Sequence, residues 1–300
     1  MSKRAKILLG VGLYFAIVIV VFLIFGSDGK NDAFKPQEEF RLTPWIEIHI
    51  GGLDMSINKA VLYVFIACAL TLLTMILVAR KMTQKPNRTQ TAVEVAYDLT
   101  YTNITGGNME PKMARKWFPF VATLFFFIWF SNMIGYIPLP TNTHETIDIF
   151  GIDFPAFALY AATANLSVPL VLTLAVFILY QIEGVRTKGL GAYIKGWIPK
   201  GTPPGMRVPI FFIEAISQFM RIISLSVRLF ANILAGHLLI LFMGGGLAVL
   251  LGLSALGFVT LPIAIVFFIL EVGLIATLQA FIFATLTSIY FGEATAAEGH

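Results

Sequence analysis

Charge is what this 300-residue chain lacks most: only 13% of its residues are Asp, Glu, Lys or Arg. Soluble domains carry about 25%, so the chain has roughly half the charge needed to solvate a globular surface. With 57% apolar residues and a mean hydropathy of +0.82, disorder and an ordinary cytosolic enzyme are both excluded. Cysteine is nearly absent as well. Cys68 stands alone inside an apolar run, so neither a disulfide framework nor a thiolate metal site can be built, and a secreted disulfide scaffold is excluded. No motif for a cofactor or a metal is seen, and the formal charge of +4 is read as topology rather than as nucleic-acid affinity. Phenylalanine, by contrast, is abundant at 27 residues and suits lipid-facing and helix-packing surfaces. The composition is that of an all-α polytopic membrane protein.

A hydrocarbon core about 30 Å thick needs about 20 apolar residues of helix. The first such run, residues 7–25, follows Lys3, Arg4 and Lys6. A basic start and an apolar middle also fit a signal peptide, but Gly26-Ser27-Asp28-Gly29 lacks a small-x-small cleavage site, which favours a retained span. Residues 28–54 hold six acidic and three basic residues and read as an external loop. Further spans are expected at 55–79, 117–137 and 157–180. Residues 91–108, with Val93, Ala96, Tyr97, Thr100 and Ile104 at helical spacing, read as an amphipathic helix on the cytoplasmic interface. Residues 181–207 are rich in Gly and Pro and read as a turn-filled connector.

The apolar stretches 208–243 and 247–291 are too long for perpendicular crossings and are separated by Gly244-Gly245-Gly246. Either they are strongly tilted, or they are broken at Gly252, Gly257 and Pro262. This path gives about six membrane helices, two of them long. It puts fifteen flanking Lys and Arg inside and three outside, with both termini cytoplasmic. Three regions follow: 1–54 with the N-terminal span and polar segment, 55–207 with the membrane and interfacial helices, and 208–300 with the two long helices.

That last region also holds Glu214, Arg221, Arg228, His237 and Glu271. A charge at mid-bilayer costs about 2.5–3.5 kcal/mol on insertion scales, so each is a functional candidate that should face protein or water. At about 100° per residue, Glu214, Ser217, Arg221, Ser224, Arg228 and Asn232 fall within about 40° of one line, a continuous polar stripe. His237, nine residues after Arg228, points the opposite way. Structural roles compete at several positions. Arg221 can snorkel and pair with Glu214, Ser217 and Ser224 can bond their own backbone, and Asn232 and Gln279 can serve as interhelical hydrogen bonds. His237 can be a packed neutral imidazole. Arg228 is hardest to explain structurally, because it lies deep and its guanidinium cannot lose its charge. Carboxylates and a histidine in series near a fixed cation are the chemistry of an ion path.

The run Ser224-Leu225-Ser226-Val227-Arg228-Leu229-Phe230-Ala231-Asn232, continuing to Gly236-His237, resembles the signature helix of subunit a of F-type ATP synthases. Gln279-Ala280-Phe281-Ile282-Phe283 resembles that family's last-helix motif, in the expected order and separation. The stretches from His49 to Asn58 and Asn132-x-x-Gly135 are family-like too, so the resemblance covers most of the chain from about residue 45.

The resemblance implies a stator lying against a ring of c subunits, each bearing a mid-membrane carboxylate. Peripheral-stalk b subunits, the remaining ATP synthase subunits and the lipid bilayer are its other partners. Two half-channels reach the ring: an outer one with Asn232, His237, Gln279 and Glu271, and an inner one with Glu214, Ser217 and Ser224. Arg228 stands between them, favouring the deprotonated ring carboxylate and blocking direct proton leak. The expected function is proton translocation coupled to rotation and ATP synthesis in a bacterial plasma membrane, without catalysis in this chain.

One spacing departs from the family. Its ionisable last-helix residue usually precedes the Gln by seven, where Val272 stands, whereas Glu271 precedes Gln279 by eight; a local bulge would restore the alignment. The N-terminal span is also extra. Sodium can replace the proton as coupling ion, and a stand-alone transporter is the alternative of another class. Such a transporter should show internal repeats, and an intramembrane protease would need Gly-x-Ser-Gly, paired Asp or His-Glu-x-x-His; none is visible.

Overall fold

The computed structural model describes residues 40–51, 53–80, 87–141, 146–149, 152–155, 157–199, 201–246 and 254–296, with residues 5, 10, 12–17, 19 and 20. About half of the apolar run 7–25 therefore lies outside the described residues. Among those described, five helices are long and apolar enough to cross a membrane. Strands among the described residues are confined to short two-stranded ribbons, and the chain is an all-α polytopic membrane protein.

The chain divides into two compact units. The larger comprises residues 43–137, 161–233 and 276–300. It opens with an antiparallel pair, β1 (His49–Ile50) and β2 (Leu53–Asp54), followed by α1 (Lys59–Arg80). Asn58 Oδ1 caps the start of α1 by accepting from the Val61 amide at 3.2 Å, and Arg80 in the last turn suits the negative end of the helix dipole. Helix α2 (Arg88–Asp98) is capped in the same way by Asn87, which accepts from the Gln90 amide at 2.9 Å. It continues as a π-wound segment, Leu99–Thr105, in which Thr100, Ile104 and Thr105 are buried. The interfacial segment expected at 91–108 is thus helical up to Thr105.

Helix α3 (Pro111–Ile134) starts on a proline, which loses nothing there because the first amides of a helix have no intrahelical acceptor. Lys112, Arg115 and Lys116, expected to precede the span, form its first turns. Helix α4 runs Ser167–Lys188, ten residues later at its start than expected and eight later at its end. The start is set by Asn165, whose side chain accepts from the Ser167 amide at 2.9 Å. Hydropathy cannot see this, because the apolar residues before it form a strand, Phe157–Ala158, and a 3-10 turn, Ala162–Ala164, rather than α-helix. The end is set by Gly189, whose φ of 79° suits glycine alone without strain. Short α5 (Leu190–Lys195) and a 3-10 turn (Pro204–Met206) occupy what remains of the connector.

The last helix, α8 (Ala276–Thr295), packs on α3, α4 and the π-wound segment. Ala276, Ala280 and Ala284 on its buried face are fully inaccessible, and small residues there let backbones approach. Phe291 lies against Trp117 with ring centroids 4.3 Å apart, and Ser288 Oγ donates to the Ile104 carbonyl at 2.9 Å. Lys116 of α3 forms an ion pair with Glu183 of α4, whose side chain is only 2% exposed.

The smaller unit comprises residues 1–42, 138–160 and 234–275. Strands β3 (Leu139–Pro140) and β6 (Phe157–Ala158) pair antiparallel, as do β4 (Thr146–Ile149) and β5 (Ile152–Pro155). The outer loop expected at 138–155 thus holds ribbon strands among its described residues, and the start expected for the fourth span is strand. Helix α7 (Ser254–Leu270) passes Gly257 and Pro262 unbroken, while Gly252 lies outside the described residues. The departure from α geometry comes later, as the π turn Glu271–Ile275.

Helix α6 (Arg207–Leu241) belongs to the larger unit up to Ile233 and to the smaller from Leu234. Its 35 residues run without a break, about 52 Å at 1.5 Å per residue. The turn expected at Gly244-Gly245-Gly246 is made by Gly245, whose φ of 147° only glycine adopts readily.

Candidate ion-path site

The polar stripe of α6 emerges into different surroundings along its length. Glu214, Ser217 and Arg221 are half-buried, whereas Ser224, Arg228 and Asn232 are exposed. In the larger unit, Arg221 reaches Glu293 Oε2 of α8 at 2.7 Å and Glu214 Oε1 at 4.0 Å. Its guanidinium also lies over the Tyr290 ring, 4.8 Å from the centroid. The partner expected for Arg221 was Glu214 alone; the shorter contact is made to Glu293, 72 positions away.

Glu214 has a second neighbour. Gln218, one turn on, donates from Nε2 to Glu214 Oε1 at 2.8 Å, and Tyr180 of α4 donates from its hydroxyl to Gln218 Oε1 at 2.9 Å. These side chains border a cavity of about 260 Å3 whose wall also includes Lys188, Tyr193 and Trp197. A polar cavity of this size has room for a cluster of waters against a carboxylate. Burial raises the Tyr193 phenol above its ordinary range, against the opposing pull of its hydrogen bond with Trp197 and of the Arg221 charge.

Arg228 is different. Its Nη2 lies 3.4 Å from Ser224 Oγ on its own helix, and among the described residues no carboxylate pairs with it. Coulomb attraction in a low-dielectric setting is strong, so an exposed guanidinium on an apolar helix is a ready site for an external carboxylate. Gln279 is buried on α8. Three residues before it, the Ala276 carbonyl accepts at 3.2 Å from the fully buried Asn132 of α3, which itself accepts from Thr163 Oγ1 at 2.7 Å.

In the smaller unit, His237 and Glu271 are both buried, 3% and 6% exposed. The Glu271 carboxyl sits against Gly236, where a Cβ would overlap its carboxyl carbon and both oxygens. Glycine at this position thus leaves room for the acid beside the His237 turn, where any side chain would push the carboxyl aside. Glu271 also opens the π turn, and a π turn takes up one residue more than an α turn.

Gln218, Tyr180, Glu293, Tyr290 and Gly236 were not among the expected site residues. Only two left a local signal: Gln218 stands four residues after Glu214, and Gly236 immediately precedes His237.

Long apolar helices carrying a stripe of polar and charged groups, one cation of which lacks a described carboxylate partner, define a multi-pass membrane protein of the ion-translocating class. Comparison with known proteins makes this specific. The model of the ATP synthase A chain family matches residues 61–292. ATP synthase subunit a of Rubrobacter xylanophilus is 37% identical over 90% of this chain and 96% of that protein. Subunit a of Rhodopseudomonas palustris strain BisB18 is 35% identical over 88% and 99%, and that of Hyphomonas neptunium 30% identical over 89% and 98%. The chain belongs to the ATP synthase subunit a family, and so to the membrane-embedded, ion-translocating part of that assembly.

Proposed function

We infer that this chain is the proton-conducting stator of an F-type ATP synthase, coupling proton flow to rotation of a c-subunit ring. The observation that carries the reading is Arg228, exposed on α6 and bonded only to Ser224 among the described residues. A permanent cation that cannot relay a proton is suited to meet each passing ring carboxylate, favour its ionised form and seal the two access paths from each other.

Glu214, beside its cavity and with Ser217 and Ser224 on the same stripe, serves the inner path. His237 and Glu271, each buried in the smaller unit, are assigned to the outer path, as are Asn232 and Gln279. The π turn at Glu271 supports its assignment, since it absorbs the one residue by which Glu271 stands outside the family spacing. Residues 208–300 form the ring-facing region, peripheral-stalk b subunits hold the stator, and catalysis takes place in other subunits. The charge asymmetry of the loops supports cytoplasmic termini in a bacterial plasma membrane.

ATP-driven acidification of inverted membrane vesicles in sodium-free buffer tests the coupling ion. Undiminished acidification is expected; a strict sodium requirement contradicts the proton reading. Purification of the intact complex should bring an oligomeric ring with this chain.

A further inference from the structure

Glu214 lies on the proposed inner path, yet its setting depends on a residue of another helix. Gln218 is a two-ended group: its NH2 only donates, its carbonyl only accepts. An ionised Glu214 only accepts, so it is served by the NH2 end and repelled by the carbonyl end. A half-turn of the amide exchanges the two with almost no change of shape. What distinguishes them is the group at the far side of the amide, and that group is the Tyr180 hydroxyl, donating to Gln218 Oε1 at 2.9 Å while Nε2 donates to Glu214 Oε1 at 2.8 Å.

Tyr180 is itself held firmly. It is 2% exposed, with its ring packed among Phe177, Tyr290 and Phe291 at centroid distances of 5.4, 5.8 and 6.3 Å. Gln218 is 7% exposed, so solvent competes little for its amide. A chain of buried hydrogen bonds of this kind sets orientation more than any one member does.

We propose that Tyr180 is a positioning residue for ion passage, acting through Gln218 to keep an NH2 donor turned towards the Glu214 carboxylate. The role rests on Glu214 belonging to the inner path. Other charged or titratable groups face the same cavity: Arg221 on α6, Lys188 on α4, Tyr193 on α5, and Tyr290 and Glu293 on α8. Tyr180→Phe leaves each of these side chains in place and removes no formal charge.

The test uses the complete ATP synthase in vesicles, with proton flux driven by a potassium diffusion potential and measured across a series of pH values. Tyr180→Phe keeps the ring and its packing and deletes only the donor. It is expected to slow flux about threefold to tenfold, the worth of a hydrogen bond of this type. It should also displace the midpoint of the flux–pH curve by about half a unit or more, a readout that loss of packing alone does not move. Gln218→Leu should reproduce both effects, and the double variant should be no worse than Gln218→Leu, because the two act as one device. A Tyr180→Phe enzyme with wild-type rate and pH profile, or effects of the two substitutions that multiply, overturns the proposal. Glu214→Gln separates the levels: wild-type flux in that variant removes the inner-path reading itself, whereas slow flux there with normal flux in Tyr180→Phe removes only the positioning role.

Discussion

Gly236 and Glu271 lie so close that a single methyl group on Gly236 would overlap the Glu271 carboxyl group, which would have to swing aside. A buried carboxyl is therefore seated directly on the backbone of α6, one residue from His237. Gly236→Ala should displace it and slow proton flux about tenfold or more, as expected when overpacking of about 1–3 kcal/mol falls on a functional group. Glu271→Asp, shorter by one methylene, should restore part of the flux in the Gly236→Ala background. Flux through vesicles containing equal amounts of assembled complex measures both.

The Lys116–Glu183 pair makes an asymmetric prediction. Glu183 is 2% exposed while Lys116 is 52% exposed, and the second oxygen of Glu183 has no partner among the described residues. Removing the lysine by Lys116→Met leaves a buried charge uncompensated. The loss should be about 3 kcal/mol, at the low end for breaking a buried pair because one partner is half in solvent. The double variant Lys116→Met/Glu183→Leu should recover most of it. Thermal unfolding in detergent distinguishes the two cases.

Asn132 ties Thr163 to the Ala276 carbonyl in the larger unit, with no access to solvent. Asn132→Ala should destabilise the subunit by about 1–3 kcal/mol, the range for orphaning buried polar partners. Asn132→Asp keeps an acceptor for Thr163 but loses the donor to Ala276, so it should be no better. Yield of assembled complex at raised growth temperature reads the difference.

The Arg221–Glu293 pair should matter little to stability, since Glu293 is 53% exposed and such pairs contribute about 1 kcal/mol or less. Glu293→Gln is expected to leave thermal unfolding almost unchanged, and the difference from wild type should shrink further in high salt. A drop in melting temperature as large as that of Lys116→Met contradicts this.

The membrane helices were legible because a run of about 20 apolar residues has few alternatives in a bilayer. Their ends were less so. Helix α4 starts just after Asn165, whose side chain accepts from the Ser167 amide, rather than where hydropathy rises, and Phe157–Ala158 is strand although it is apolar. The polar stripe from Glu214 to Asn232 followed from helical period alone. Its partners did not: Glu293 reaches Arg221, and Tyr180 reaches Gln218 beside Glu214, from helices distant in sequence, and no local pattern encodes either meeting. The eight-residue spacing of Glu271 and Gln279 looked like a departure, and the π turn at Glu271–Ile275 is its local physical counterpart.

The central claim rests on Arg228, and the most direct measurement is ATP-driven proton pumping by inverted vesicles carrying Arg228→Ala in the whole synthase. Loss of pumping with the complex still assembled, and with ATP synthesis abolished, is the predicted result. Pumping at the wild-type rate in that variant would contradict the account.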